Sequence, residues 1–220
     1  MIVSGWVDWA THIKPEIRPD KRYAQANIGK GIVWHSQEGY GLQSMLNIMR
    51  GDDRQTSFMF WISVAGELVQ MAPTEASVWT SGNKTANTSY WPVECEGTVE
   101  TGSLSGPQVN TCRRLIRDWE DYKGLVAARH VTMFEHREVA LLDEVNAGPT
   151  ACPSGRYLPL WALLEGGEMT EEDVRAIVRE ELEAAGLVAD DLPTFARYYE
   201  AMLARLYAAT AAFDPDEVPE

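Results

Sequence analysis

GIVWHS, residues 31–36, is the stretch on which the reading of the chain turns. It is a short apolar, β-branched run, too brief for a stable helix, and it ends in a histidine. It therefore reads as a buried strand that delivers His35 at its end. Just downstream, GLQSMLNIMR (41–50) spaces Leu42, Met45, Leu46 and Met49 three and four apart. That spacing predicts an amphipathic helix, which Gly51 can stop. A buried strand followed by such a helix opens an α/β layer.

Farther out, FMFWISVAGELVQM (58–71) predicts two strands joined by a turn at Ala65-Gly66. WPVECEG (91–97) alternates apolar and acidic side chains at Val93, Glu94, Cys95 and Glu96, a strand whose start Pro92 assigns to an edge or bulge. Between Pro107 and Gly124, the positions of Val109, Cys112, Leu115, Ile116 and Trp119 predict a second helix. RHVTMF (129–134) predicts a strand leading to His136, and the first 30 residues, without period, an irregular arm packed on the domain. The expected fold is α/β, a mixed central β-sheet flanked by helices, occupying residues 1–165.

Composition bounds the function. The 220 residues are 45% apolar and 10% aromatic, enough to bury a core. The net charge of -14 argues against a nucleic-acid partner, which would require clustered Lys and Arg. Fifteen acidic and four basic side chains lie from Glu165 onward, so the excess is concentrated there. After Gly166-Gly167, Thr170 and Asp173 form a helix-start pair ahead of Val174, Ile177, Val178 and Leu182. A second helix begins near Pro193 with Phe195, Tyr198, Met202, Leu206 and Phe213 as its stripe, giving an acidic C-terminal helical hairpin over 166–220. No apolar stretch reaches the roughly 20 residues of a membrane span, and the N-terminus lacks a basic region followed by an apolar run. The expectation is a chain kept in a cytoplasm without stable membrane association. Three cysteines without close pairing fit a reducing compartment, with Cys95 and Cys112 as apolar packing.

A catalytic zinc site takes three protein ligands from imidazole, thiolate and carboxylate and leaves a position for water. Four histidines and three cysteines do not single out a triad by spacing. The order of local motifs does more. GIVWHS ends a strand in His35; SFMFWISVAGELVQ carries Phe58, Phe60, Gly66 and Gln70; VWTSGN is followed by NTSYWPVECEG; then come FEHREV with His136 and TACPSG with Cys152. Over residues 30 to 160 this order resembles the type-2 zinc N-acetylmuramoyl-L-alanine amidases, a family that includes phage endolysins, muropeptide-recycling amidases and peptidoglycan-recognition proteins.

The resemblance implies Zn2+ as cofactor, with His35, His136 and Cys152 as its ligands. The stretch LLDEVNAG lengthens the path from His136 to Cys152 and makes Asp143 the competing third ligand. Glu94 matches the family's acid/base glutamate, with Glu96 on the same strand face as the alternative. Thr150 stands where the family places Lys or Thr beside the tetrahedral intermediate, and it reads equally as a turn residue after Pro149. Trp34, Phe58, Trp79 and Asn83 are candidates for lining the substrate groove, although buried tryptophan more often belongs to a core. Thr80, Met59 and Pro92 depart from the family pattern outside its ligand set, which implies altered substrate contacts. His130 and His12 have no counterpart. The implied reaction is hydrolysis of the amide between N-acetylmuramic acid and L-alanine in peptidoglycan. The expected role is that of a phage endolysin held in the host cytoplasm until a holin releases it to the cell wall; residues 166–220 read first as a charged outer face, with a spacer, a self-association hairpin and a helix pair packed on the catalytic domain as the open roles. The alternatives are a cytosolic muropeptide-recycling amidase and a non-catalytic peptidoglycan-binding module.

Overall fold

A computed structural model describes residues 1–13, 21–51, 56–98, 102–142, 152 and 156–164, and every statement of structure below concerns these. GIVWHS is β4 (Gly31–Ser36), and all six of its residues are buried. It is buried because it is central. β7 (Tyr90–Cys95) pairs with it on one side and β8 (Met133–Glu135) on the other, both parallel. A strand covered on both faces reads as a continuous apolar run, as this one does. Gly31 is required by close approach: a Cβ there would lie 1.8 Å from the Thr132 carbonyl oxygen in the segment leading into β8.

Beyond β7 the sheet continues through β5 (Phe60–Ile62), parallel to β7, and β6 (Leu68–Gln70), antiparallel to β5. The last strand is β3 (Thr11–His12), parallel to β6, giving the order β3-β6-β5-β7-β4-β8. The sheet is thus mixed, and the hairpin read from 58–71 is present. The first 13 residues of the N-terminal arm carry regular structure. β1 (Ile2–Val3) and β2 (Trp6–Val7) form a small hairpin, and β3 adds an edge strand that two residues could not announce in sequence.

Helices cover both faces of the sheet. α1 (Leu42–Arg50) ends at Gly51 and buries Met45, Leu46 and Met49. α3 (Gly106–Lys123) buries Val109, Cys112, Leu115, Ile116 and Trp119 in the same large core, together with Ile32 and Trp34 of β4 and Trp91, Val93 and Cys95 of β7. α3 starts at a reciprocal cap: Ser105 accepts from the Gln108 amide, and the Gln108 side chain accepts from the Ser105 amide. The opposite face holds a smaller cluster of Val33, Ala86, Tyr90, Phe134 and Val139, covered by α2 (Lys84–Ser89). α4 (Leu158–Leu164) packs against α3.

One more sequence expectation is corrected. The strand read at 129–134 begins only at Met133, since His130 has φ of 59° and sits in a turn. β7 as a whole lies between β5 and β4, but its start is an edge as read, since β5 has no residue opposite Tyr90, Trp91 or Pro92. Pro92 is tolerated in it because β5 begins opposite Val93, so no β5 residue faces Pro92 for a hydrogen bond. α2, six residues with two Thr and a Ser, carries too weak a period to be read. The C-terminal hairpin and the 166–220 region lie outside the described residues.

Candidate metal centre

The parallel strands β4, β7 and β8 all end at one edge of the sheet, and their ends carry the chemistry. Side chains alternate along a strand. Ile32 and Trp34 enter the large core, which turns Val33 and His35 to the other face. In β7, Trp91, Val93 and Cys95 enter the same core, which turns Glu94 to the face of His35. The register sets His35 directly beside Glu94, and their Nδ1 and Oε1 atoms are 3.8 Å apart. His136 is the first residue after β8, at the start of the 3-10 helix His136–Leu141, and its ring centroid is 4.5 Å from that of His35. Cys152 closes the group. One donor atom from each of His35, His136 and Cys152 falls within 4.8 Å of the others.

The surrounding bonds fix these residues from several sides. The Cys152 sulfur accepts from the Ser36 amide at 3.1 Å. Ser81 meets both imidazoles: its hydroxyl is 3.2 Å from His35 Nε2 and its carbonyl oxygen 3.1 Å from His136 Nε2. The Tyr157 hydroxyl donates to the His35 carbonyl at 2.8 Å. The buried Arg156 guanidinium donates to the Ser36 hydroxyl and to the Cys95, Glu96 and Gly102 carbonyls, tying the ends of β4 and β7 together. On the far side, the fully buried Glu135 accepts from Trp161 Nε1 at 2.7 Å and from Arg137 Nε at 2.6 Å. Glu138 pairs with Arg129 and accepts from the Glu135 amide, so the turn that presents His136 is held by charge as well as by backbone.

Burial sets the protonation of the site. It is the main cause of the depressed pKa of His35, aided by His136, and of the lowered pKa of His136, against which the Ser81 carbonyl acts. Both rings are therefore neutral, the form that can donate a lone pair. Burial pushes the Cys152 thiol well up, with Glu94 adding to it, so the thiol keeps its proton until a cation displaces it. Burial also raises Glu94 well above the ordinary carboxylate range; Cys95 and Glu38 add to this and Arg156 opposes it. His35 and Glu94 both shift toward neutrality, so burial opposes an ion pair across their 3.8 Å approach.

The donor set fits zinc. Two neutral imidazoles and one thiol make a three-ligand group of the kind that leaves a fourth position open. Glu94 Oε2 is buried and has no hydrogen-bond partner, as expected of an oxygen whose partner belongs to a bound group.

Comparison with known proteins follows the same residues. Residues 24–155, more than half of the chain, match the family model described as N-acetylmuramoyl-L-alanine amidase. The chain belongs to this amidase family. Family membership supplies the reaction, cleavage of the amide between N-acetylmuramic acid and L-alanine. Among solved structures, the N-acetylmuramoyl-L-alanine amidase LysC from Clostridium intestinale URNW superposes with a TM-score of 0.54 at 12% identity, covering 72% of this chain and 98% of that one. A selenomethionine derivative of AmpD gives 0.54 at 16% identity over 74% and 98%. A mutant endolysin from Bacillus subtilis gives 0.53 at 17% identity over 72% and 98%. At these identities the likeness establishes the amidase fold. No curated protein matches the chain in sequence.

The remaining predicted site residues fare differently. Trp34 is fully buried in the core, Phe58 is 5% exposed, and Asn83 is fully buried as the cap of α2, where its side chain accepts from the Ala86 amide. All three side chains are buried, and the bonds and packing named are the contacts the structure gives them. Trp79 is half-buried and stacks on Tyr23, with its indole N–H unpartnered. Glu96, the alternative acid/base, is committed elsewhere: its two oxygens accept from the Gly41 and Val64 amides. Thr150 and Asp143 lie outside the described residues. Cys95 and Cys112 are buried free thiols 4.0 Å apart, packing β7 on α3 as read. His12 is a structural residue, its Nε2 2.7 Å from the Val7 carbonyl. Sequence reasoning missed Ser81, Arg156 and Tyr157. Their only signal is position, Ser81 within VWTSGN and the other two just after CPSG.

Proposed function

We propose that this chain is a zinc-dependent N-acetylmuramoyl-L-alanine amidase in which His35, His136 and Cys152 hold the metal and Glu94 moves the proton. The observation that carries the reading is the convergence of these three donors beside a buried carboxyl group with one unpartnered oxygen. Bound zinc supplies a Lewis acid for the scissile carbonyl and brings the pKa of water down to about 7. His35 and His136, held neutral, offer lone pairs without first losing a proton. Cys152 loses its proton on metal binding, and the Ser36 amide stabilises the thiolate through its bond to sulfur. Glu94 in its ionised form, which a cation in the site would favour, takes a proton from the attacking water and returns it to the departing amine of L-alanine; the burial that raises its pKa makes it the stronger base. Trp79 is the candidate that contacts substrate, and the Thr150 hydroxyl donates to the oxyanion.

Residues 1–165 form the catalytic domain, and 166–220 form an acidic helical region available for self-association. The biological role is that of a phage endolysin released by a holin to the cell wall, a reading favoured by endolysins among the structural neighbours. No helix among the described residues is long and apolar enough to cross a membrane.

The test is mass spectrometry of products from defined peptidoglycan, run beside metal analysis. The reading predicts new N-terminal L-alanine and a free lactyl carboxyl on muramic acid, produced only by zinc-loaded protein. New ends within the stem peptide would identify an endopeptidase. Zinc near one per chain without cleavage would identify a binding module.

A further inference from the structure

The two imidazoles of the site share one neighbour. Ser81 is 3% exposed, and it offers His35 and His136 chemically different groups: a hydroxyl to one Nε2 and a carbonyl oxygen to the other. A carbonyl oxygen only accepts, so His136 carries its proton on Nε2, and its Nδ1 bears the lone pair. A hydroxyl can act either way, so His35 has two arrangements. If the Ser81 hydroxyl accepts from Nε2–H, Nδ1 bears the lone pair. If it donates to Nε2, the proton sits on Nδ1, beside Glu94 Oε1 at 3.8 Å, and that nitrogen cannot ligate.

Ser81 is itself held in place. Asn87 Oδ1 accepts from the Ser81 amide at 2.8 Å and from the Thr80 amide at 3.1 Å, and α2 carries Asn87 in turn. The loop between the half-buried Trp79 and α2 therefore reaches both rings through one residue that cannot drift.

We propose that Ser81 is a positioning residue of the centre: its carbonyl accepts from His136 Nε2–H and its hydroxyl accepts from His35 Nε2–H, which leaves Nδ1 as the ligating nitrogen of both. This rests on the zinc reading above. The hydroxyl matters because it is the one contact here that a side-chain change can remove while leaving the backbone carbonyl in place. Groups that orient metal-bound histidines in this way typically change metal affinity 10- to 100-fold when lost.

The experiment uses the full chain and its Ser81→Ala variant, with Asn87→Ala as a second variant that loosens the Ser81 backbone. Zinc affinity is measured by competition with a chromogenic chelator, and the tautomers of His35 and His136 by 15N NMR of histidine-labelled, metal-free protein. In the wild type both rings are expected with the proton on Nε2. In Ser81→Ala, zinc affinity is expected to fall about tenfold, with His35 populating both tautomers and His136 unchanged. In Asn87→Ala the His136 resonances should shift as well. Affinity within twofold of wild type in Ser81→Ala would overturn the proposal, as would a lower affinity with the His35 tautomer unchanged. A wild-type chain that binds no zinc would instead refute the metal reading, while the NMR of metal-free protein still decides the role of Ser81.

Discussion

Replacing Glu94 by Gln should make the metal-free protein more stable and the zinc-loaded protein nearly inactive. Glu94 is 6% exposed, has an oxygen without a partner, and lies 3.8 Å from His35, whose charged form burial also opposes. A buried, unsatisfied polar group costs about 1–3 kcal/mol, and more when charged. The sign of the pH dependence follows from its raised pKa. Below the ordinary carboxylate range the group is protonated in both folded and unfolded chains and contributes no penalty. As pH rises toward the folded value, the unfolded chain ionises first and stability is lost. The amide carries no such charge, so the gain in Glu94→Gln should grow from near zero at pH 4.5 to about 1–3 kcal/mol at pH 8. For a chain of this size that is a rise in Tm of about 2–4 °C per kcal/mol. Thermal melts of chelator-treated wild type and variant across that pH range measure it. On the same preparations reloaded with zinc, kcat should fall about 10²- to 10⁴-fold, the usual worth of an acid/base group. A gain that shrinks or reverses as pH rises would mean that the fold stabilises ionised Glu94. A variant retaining more than a tenth of wild-type kcat would remove Glu94 from proton transfer.

Three further outcomes follow from the same geometry. Zinc binding at pH 7.5 should release a proton from the Cys152 thiol, whose pKa burial raises, beside whatever the bound water gives up, and none from the histidines, which are already neutral. Calorimetry in buffers of different ionisation enthalpy reads the total, and Cys152→Asp should lower it by about one. Asn83→Ala removes the cap of α2 and should cost about 1 kcal/mol of stability with little change in KM; a rise in KM without loss of stability would return Asn83 to the substrate groove. Truncation after Glu165 should leave zinc stoichiometry unchanged and the lytic rate within a few-fold. Loss of bound zinc on truncation would show that the acidic region is needed to build the site.

What was legible in the sequence and what was not divide along physical lines. β4, α1 and α3 could be read because burial writes a period into a sequence: a solid apolar run for a strand covered on both faces, three-and-four spacing for a helix covered on one. The pairing of His35 with Glu94 was within reach for the same reason, since alternation turned both away from the large core. β3 and α2 were not readable, being too short to carry a period, whereas Pro92 marked an edge correctly, because the neighbouring strand begins only beyond it. The burial of Trp34, Phe58 and Asn83 was not legible, because a motif fixes the residue type and not the side of the wall on which it lies. Ser81 and Arg156 act through a hydroxyl, a carbonyl and a guanidinium reaching across the fold, and such contacts leave no mark on local pattern.

The central claim is the identity of the three metal ligands, and zinc K-edge X-ray absorption on the reloaded full chain tests it most directly. Two imidazole nitrogens at about 2.0–2.1 Å and one sulfur at about 2.3 Å are the predicted shell, with the sulfur lost in Cys152→Ala. A shell of nitrogen and oxygen alone in the wild type would contradict it and place a carboxylate where Cys152 is assigned.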